Sequence, residues 1–80
     1  MSVSSKIKAL INLKGIDHAG LAKRLGISSQ ALSNKLHRQS FTVADLIKIS
    51  ACLDCDLAFI VDDMQRIYLT EDDIKQSKQS

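Results

Sequence analysis

The stretch that decides the fold runs from Leu21 to Leu36 and has the sequence LAKRLGISSQALSNKL. Leucines recur at four-residue intervals in both halves of the stretch, the spacing that places side chains on one face of a helix. Gly26 is placed to end the first helix, and Ser28 is a good N-cap for the second. The sequence therefore predicts two short helices joined by about three residues, which forces them to cross steeply.

The second of these helices has a polar face opposite its leucines. At roughly 100° per residue, this face and its flanks hold Gln30, Ser33, Asn34, His37 and Arg38. No acidic residue occurs from position 19 to position 44. Gln and Asn can both donate to and accept from the edge of adenine, and Ser offers a single adaptable contact. This face therefore has the chemistry that a helix in the major groove of DNA requires.

Two further helices are predicted, one on each side of the pair. The helix before the pair ends at Gly15, and Asp17 is placed to cap the helix that follows. The apolar stripe of the helix that ends at Gly15 consists of Val3, Ile7, Leu10 and Ile11. The helix after the pair begins near Thr42, which together with Asp45 resembles a capping box. Its buried side consists of Val43, Leu46, Ile47, Ile49 and Leu53.

The C-terminal part of the chain predicts a β-hairpin and a polar tail. Two short runs rich in β-branched and aromatic residues, LAFIV and RIYLT, flank the polar segment DDMQ, a pattern typical of two strands and a turn. Leu57, Ile60 and Val61 also fit a helix, so both alternatives remain open for this run. Thr70 and Asp73 can cap a final helical turn, and the rest of the tail is expected to fray.

Length and charge limit the function. Eighty residues make one small domain without room for a separate catalytic domain. Residues 1–53 contain eight of the eleven Lys and Arg but only two of the nine acids, so this half can meet phosphate. His18 and His37 have no acid or Ser arranged nearby in the sequence as a catalytic partner. We therefore predict a binding protein and not an enzyme.

Cys52 and Cys55 have the C-x-x-C spacing that a metal or redox site can use. A zinc site needs four ligands, however, and no second Cys/His pair of suitable spacing accompanies them. We expect plain thiols and no cofactor. The sequence shows no apolar signal segment and no stretch long enough to span a bilayer, so we expect a cytoplasmic protein with reduced thiols and no membrane partner.

The segment HAGLAKRLGISSQALSNKL, residues 18–36, resembles the helix-turn-helix of the phage Cro and repressor type, the XRE-like family. The resemblance depends on Ala22, Gly26, Ser28 and Leu32 and extends from about residue 7 to residue 57. It implies a mainly α fold of four to five helices, and in this chain the C-terminal hairpin predicted above takes the place of the last helix of the best-known members. It also implies a transcriptional regulator, expected to be a repressor, that binds double-stranded operator DNA as a homodimer with its third helix in the major groove.

The resemblance also implies which residues meet DNA. By position, the base contacts fall on Ser28, Ser29, Gln30, Ser33 and Asn34. The phosphate contacts fall near the start of the second helix and in the loop before the fourth. With the basic residues at the margins, the expected phosphate contacts are His18, Lys23, Lys35, His37, Arg38, Ser40 and Thr42.

The predicted organisation is a DNA-binding domain over residues 1–56, a hairpin over residues 57–70 that dimerises the same domain, and a polar tail over residues 71–80. A lone two-stranded hairpin is marginal, and its open edge is a template for another strand. The expected dimer contacts are Leu57, Phe59, Ile60, Val61, Ile67 and Leu69. The alternative is an antitoxin-like or phage-control protein that binds DNA and also a protein partner through its C-terminal segment. A third alternative is an interaction module that does not bind DNA, and it would require that the basic face of the protein is covered.

Overall fold

In the computed structural model, which describes residues 2–74, four helices precede a two-stranded antiparallel sheet and a single helical turn. The elements are α1 (Val3–Lys14), α2 (His18–Leu25), α3 (Ser29–Arg38), α4 (Val43–Cys52), β1 (Leu57–Asp62), β2 (Gln65–Leu69) and the turn over residues 71–74. The predicted mainly α fold with a C-terminal hairpin is confirmed, and residues 57–61 are strand. The end of the polar tail, where fraying was expected, lies outside the described residues.

The chain divides into two compact units, Met1–Thr42 and Val43–Ser80. The first unit contains α1, α2 and α3 around a core of Ile7, Ile11, Leu21, Ala22, Leu32 and Leu36. Two hydrogen bonds join the start of α1 to the end of α3. Oγ of the buried Ser4 donates to the carbonyl oxygen of Leu36 over 2.5 Å, and the backbone N–H of Val3 donates to Oε1 of Gln39 over 3.1 Å. They hold α3 in a fixed position within the unit.

The helix boundaries form where the sequence predicts them. Gly15 and Gly26 end α1 and α2 with φ angles of 67° and 75°, in the left-handed region that glycine adopts at little cost. The side chain of Asp17 caps α2 by accepting from the backbone N–H of Gly20 over 2.7 Å. Ser28 caps α3 in the same way, with its Oγ 3.0 Å from the backbone nitrogen of Ala31.

Two residues of the predicted buried stripes are exposed instead. Val3 is 47% exposed and Val43 is 61% exposed. Each is the first residue of its helix, and the Cα–Cβ bonds of a helix tilt toward its N-terminus. Their side chains therefore project beyond the start of the helix, past the residues that form the core. The later members of both stripes are buried or half-buried.

The second unit contains α4 and the hairpin, with Ile47, Ile49 and Leu53 buried. The register pairs Leu57 with Leu69 and Phe59 with Ile67, and a β-bulge interrupts the ladder between Ile60 and Asp62. The carboxylate of Asp62 accepts from the backbone N–H of Met64 over 2.8 Å, which closes the turn. At the end of β2, the backbone N–H of Thr70 donates to Oδ2 of Asp73 over 2.7 Å, so the predicted cap of the last turn is confirmed.

Candidate nucleic-acid interface

The joint between α2 and α3 is three residues long and closely held. The backbone N–H of Gly26 donates to the carbonyl of Lys23, and that of Ile27 donates to the carbonyl of Ala22 over 3.0 Å. These bonds satisfy carbonyl groups at the end of α2. Leu21, Ala22 and Leu32 are at most 1% exposed, so the two helices share a dry contact. The joint therefore presents α3 as a rigid element.

The outer face of α3 carries the residues that the sequence assigns to base contact. The side chains of Ser29, Gln30, Ser33 and Asn34 are all exposed, whereas the leucines of the same helix are buried. Nε2 of Gln30 donates to Oδ1 of Asn34 over 3.3 Å, which brings these two amides together. Ser28 is also exposed, and its Oγ is the N-cap acceptor described above. Its hydroxyl proton is still available as a donor.

One contact links the start of α2 to this face. Nε2 of His18, a half-buried residue assigned to phosphate contact, lies 3.3 Å from Oγ of Ser33, within hydrogen-bond distance. His18 is the first residue of α2, and Ser33 lies one turn into α3. The structure thus brings together one residue assigned to phosphate and one assigned to bases.

The other residues assigned to phosphate lie at the ends of helices or in the loop that follows α3. Lys23 is in the last turn of α2, and Lys35, His37 and Arg38 are in the last turn of α3. Cations there complement the negative end of the helix dipole, which is a structural role independent of DNA. Lys35 is half-buried, and the exposed members of the set are Lys23, His37, Arg38, Ser40 and Thr42.

Two residues that matter to this geometry were not found from the sequence. A Cβ added at Gly20 would lie 2.8 Å from Oδ1 of Asp17, so the carboxylate that caps α2 in this position has room there because residue 20 is glycine. The sequence signal for this close approach is a glycine three residues after a capping Asp. Gln39 ends α3 with a φ of 54° and accepts from Val3. No local pattern predicts that contact, because its partners are 36 residues apart.

Neither a metal centre nor a membrane span is found in the part of the chain that the structure describes. Within residues 2–74, no group of three or more His, Cys, Asp or Glu side chains could hold a metal ion. Cys52 and Cys55 are half-buried thiols that form no disulfide, and Sγ of Cys55 donates to the carbonyl oxygen of Ser50 over 3.6 Å. In the same range, no helix is both long and apolar enough to cross a bilayer.

A rigid helix pair with a three-residue joint and an exposed polar second helix defines a helix-turn-helix DNA-binding domain. Residues 6–65, more than half of the chain, match the family model of the Cro/C1-type HTH DNA-binding domain. The chain belongs to this family, and it is a DNA-binding regulator. No curated protein and no solved structure matches it significantly.

Proposed function

We propose that this protein is a transcriptional repressor that binds a pseudo-palindromic operator as a homodimer, with α3 of each chain in the major groove. The observation that carries the proposal is the exposed face of α3, which consists of amide and hydroxyl side chains. The buried leucines on the other side of the helix hold it rigidly in place. Such groups distinguish base edges. The base contacts are made by Ser29, Gln30, Ser33 and Asn34, with Ser28 at the first phosphate or base.

Phosphate contacts supply the sequence-independent part of the affinity. Segment 19–44 has no carboxylate that would repel the DNA backbone, and its cations lie at the ends of α2 and α3. The side chains that contact phosphate are His18, Lys23, Lys35, His37, Arg38, Ser40 and Thr42. Binding of this kind makes the affinity fall steeply as salt increases.

The hairpin provides the dimer contact. Its exposed apolar side chains include Phe59, Ile60, Val61 and Ile67, which are 63%, 70%, 59% and 59% exposed. Phe59 and Ile67 are direct cross-strand partners, so they form one continuous apolar surface. Contiguous apolar surface of this kind marks an interaction site in a soluble protein. Leu57 and Leu69, half-buried at the other end of the ladder, support the contact.

A second copy of the chain fits this surface because it offers the same apolar residues and the same open strand edges. Pairing two hairpins covers the apolar side chains and gives edge N–H and C=O groups partners. A two-fold dimer brings two α3 helices to half-sites about 34–36 Å apart, one helical turn of DNA. Occupying such a site blocks access to a promoter without any further activity, which favours repression over catalysis or activation. We expect such a regulator to act in the cytoplasm.

Selection of DNA fragments by the purified chain tests the operator proposal. We expect a consensus sequence with two-fold symmetry. The protein should bind it at least about a thousandfold more tightly than random duplex at physiological salt. Asn12→Ala, in the exposed part of α1, serves as the matched control and should select the same sequence. Binding without any preferred sequence would refute specific recognition. A reporter gene placed behind the selected site should be silenced by the protein, and increased expression would refute repression.

Light scattering tests the dimer. The chain should have twice its monomer mass at tens of micromolar, and Phe59→Lys should be monomeric and bind the operator more weakly. Met64→Lys is the matched control, because Met64 lies in the turn, outside the proposed contact, and is 91% exposed.

The alternative, a phage-control or antitoxin-like protein that holds a protein partner through its C-terminal segment, is favoured by the same apolar hairpin. It predicts that the chain alone is monomeric. A dimer that Phe59→Lys disrupts would exclude this alternative as the use of the hairpin.

A further inference from the structure

A cavity of about 200 Å³ lies between α4 and the base of the hairpin. Apolar side chains of both elements line it, together with the thiol of Cys55 and several polar groups; the apolar residues are Ile47, Ala51, Leu57 and Leu69. An apolar cavity of about 150 Å³ in a protein can hold a benzene molecule. This cavity is therefore large enough to receive one phenyl ring.

The outer half of the same hairpin exposes a phenyl ring, that of Phe59. We propose that Phe59 of a second copy of the chain occupies the cavity, so that each copy of the dimer inserts one ring into the other. Such a contact is self-complementary, because every copy supplies both a ring and a cavity. The inference rests on the proposed function and names the site at which the hairpin of one copy is received by the other.

The bulge in β1 selects the register of the contact. Among the described residues, β1 has a neighbouring strand on one side only, so its other edge can pair with β1 of the second copy. That edge is regular only along Leu57–Ile60, where the bulge begins. When two identical strands pair about a two-fold axis, the residue at the centre lies opposite its own copy. A pair centred on Ala58 stays within the regular part, whereas a pair centred on Phe59 would extend into the bulge.

The pair centred on Ala58 brings the ring to the cavity. It places Phe59 of one copy directly opposite Leu57 of the other. Opposite residues of an antiparallel pair project from the same face of the sheet, with Cβ atoms about 4.5–5.5 Å apart. Because Leu57 lines the cavity, Phe59 of the second copy projects beside it, over the opening.

The area of a stable contact also requires more surface than the hairpin alone provides. A standard interface buries about 800 Å² per partner, whereas one aromatic side chain buries roughly 150–250 Å². Phe59 and its cross-strand partner Ile67 therefore do not supply enough area by packing only on their own copies. Insertion into the cavity adds the apolar walls that α4 and the base of the hairpin form.

Filling the cavity tests the inference without altering the hairpin. Ala51→Trp adds an indole to the wall formed by α4, and Ala51 is exposed, so the helix can carry the larger side chain. We expect the dimer dissociation constant, measured by sedimentation, to rise at least about tenfold. Ala9→Trp, at an exposed alanine of α1, is the matched control and should leave the constant unchanged.

A double-mutant cycle shows whether the ring and the cavity act on each other. Phe59→Ala should raise the dissociation constant of the unaltered chain at least about tenfold, because the cavity loses its occupant. In the Ala51→Trp background the cavity is already filled, so the same substitution should raise the constant less than about threefold.

A disulfide trap identifies the wall that the ring meets. Phe59→Cys is combined with Cys52→Ser, so that Cys55 in the cavity wall is the only other thiol. Diamide, an azo oxidant that takes up the two electrons and two protons of a thiol pair, should then join residue 59 of one copy to Cys55 of the other. Adding Cys55→Ser should slow the crosslink at least about tenfold, and Ile60→Cys should form it as slowly, because successive residues of a strand point to opposite faces.

Two results would overturn the inference while the dimer itself stands. One is an Ala51→Trp dimer as strong as that of the unaltered chain, and the other is a crosslink that forms as readily without Cys55 as with it. An unaltered chain that stays monomeric at tens of micromolar would instead refute the dimer of the proposed function.

Discussion

The cap of α2 makes the effect of one substitution depend on another. Gly20 lies inside α2, where alanine is normally about 1 kcal/mol more favourable than glycine. In this chain, however, a Cβ at position 20 would lie 2.8 Å from Oδ1 of Asp17 and 3.3 Å from Cγ2 of Ile16. The carboxylate would have to shift, which weakens its hydrogen bond to the backbone N–H of residue 20, and complete loss of such a cap costs about 0.5–2 kcal/mol.

The two terms have similar size and opposite sign, so Gly20→Ala should change the free energy of unfolding little or lower it. In an Asp17→Ala background there is no cap left to lose. The same Gly20→Ala substitution should then stabilise the protein by about 1 kcal/mol, which raises Tm by roughly 4–8 °C in a domain of this size. Thermal unfolding of the four proteins of this cycle measures both effects.

The control is Gly20→Ala in an Asp17→Asn background, because Asn is also a good cap and should keep the penalty. A gain of about 1 kcal/mol from Gly20→Ala in every background would mean that the carboxylate and the new methyl group do not compete, and the account of this cap would be wrong.

Three further predictions concern α3 and its supports. Ala22→Leu should destabilise the protein by about 1–3 kcal/mol, because Ala22 is 1% exposed; unchanged melting and DNA binding would show that α2 and α3 do not cross there. Gln39→Ala should cost about 0.5–1.5 kcal/mol through the lost bond to Val3, whereas Gln39→Gly should cost less, because glycine tolerates a φ of 54°; equal losses in thermal melts would contradict this. Arg38→Ala should weaken binding to operator and random duplex alike and reduce the salt slope by about one; a loss confined to the operator would make Arg38 a base contact.

The parts of this fold that depend on short-range chemistry could be predicted from the sequence. Gly15, Gly26, Asp17 and Ser28 act on neighbours within four residues, so the helix boundaries follow from residue type and spacing. The polar face of α3 could be predicted because helical periodicity alone separates it from the leucines.

Interactions between distant or exposed side chains could not be predicted in the same way. The bonds from Ser4 and Val3 to the end of α3 span 32 and 36 residues, and no local pattern records them. The bond between Gln30 and Asn34 depends on which way two flexible amides turn, although their four-residue spacing permits it. The DNA and dimer contacts remain predictions of the sequence and of the proposed function.

The bulge between Ile60 and Asp62 has a consequence for how far a sheet can grow. A hairpin with apolar side chains and open edges can in principle keep adding strands, which leads to fibres. At the bulge the ladder becomes irregular and the local twist increases, so β1 offers an incoming strand a regular edge only along Leu57–Ile60. Four residues can align one partner but give a poor template for a stacked array. The same irregularity that disturbs pairing within the hairpin therefore makes the β1 edge a poor template for aggregation.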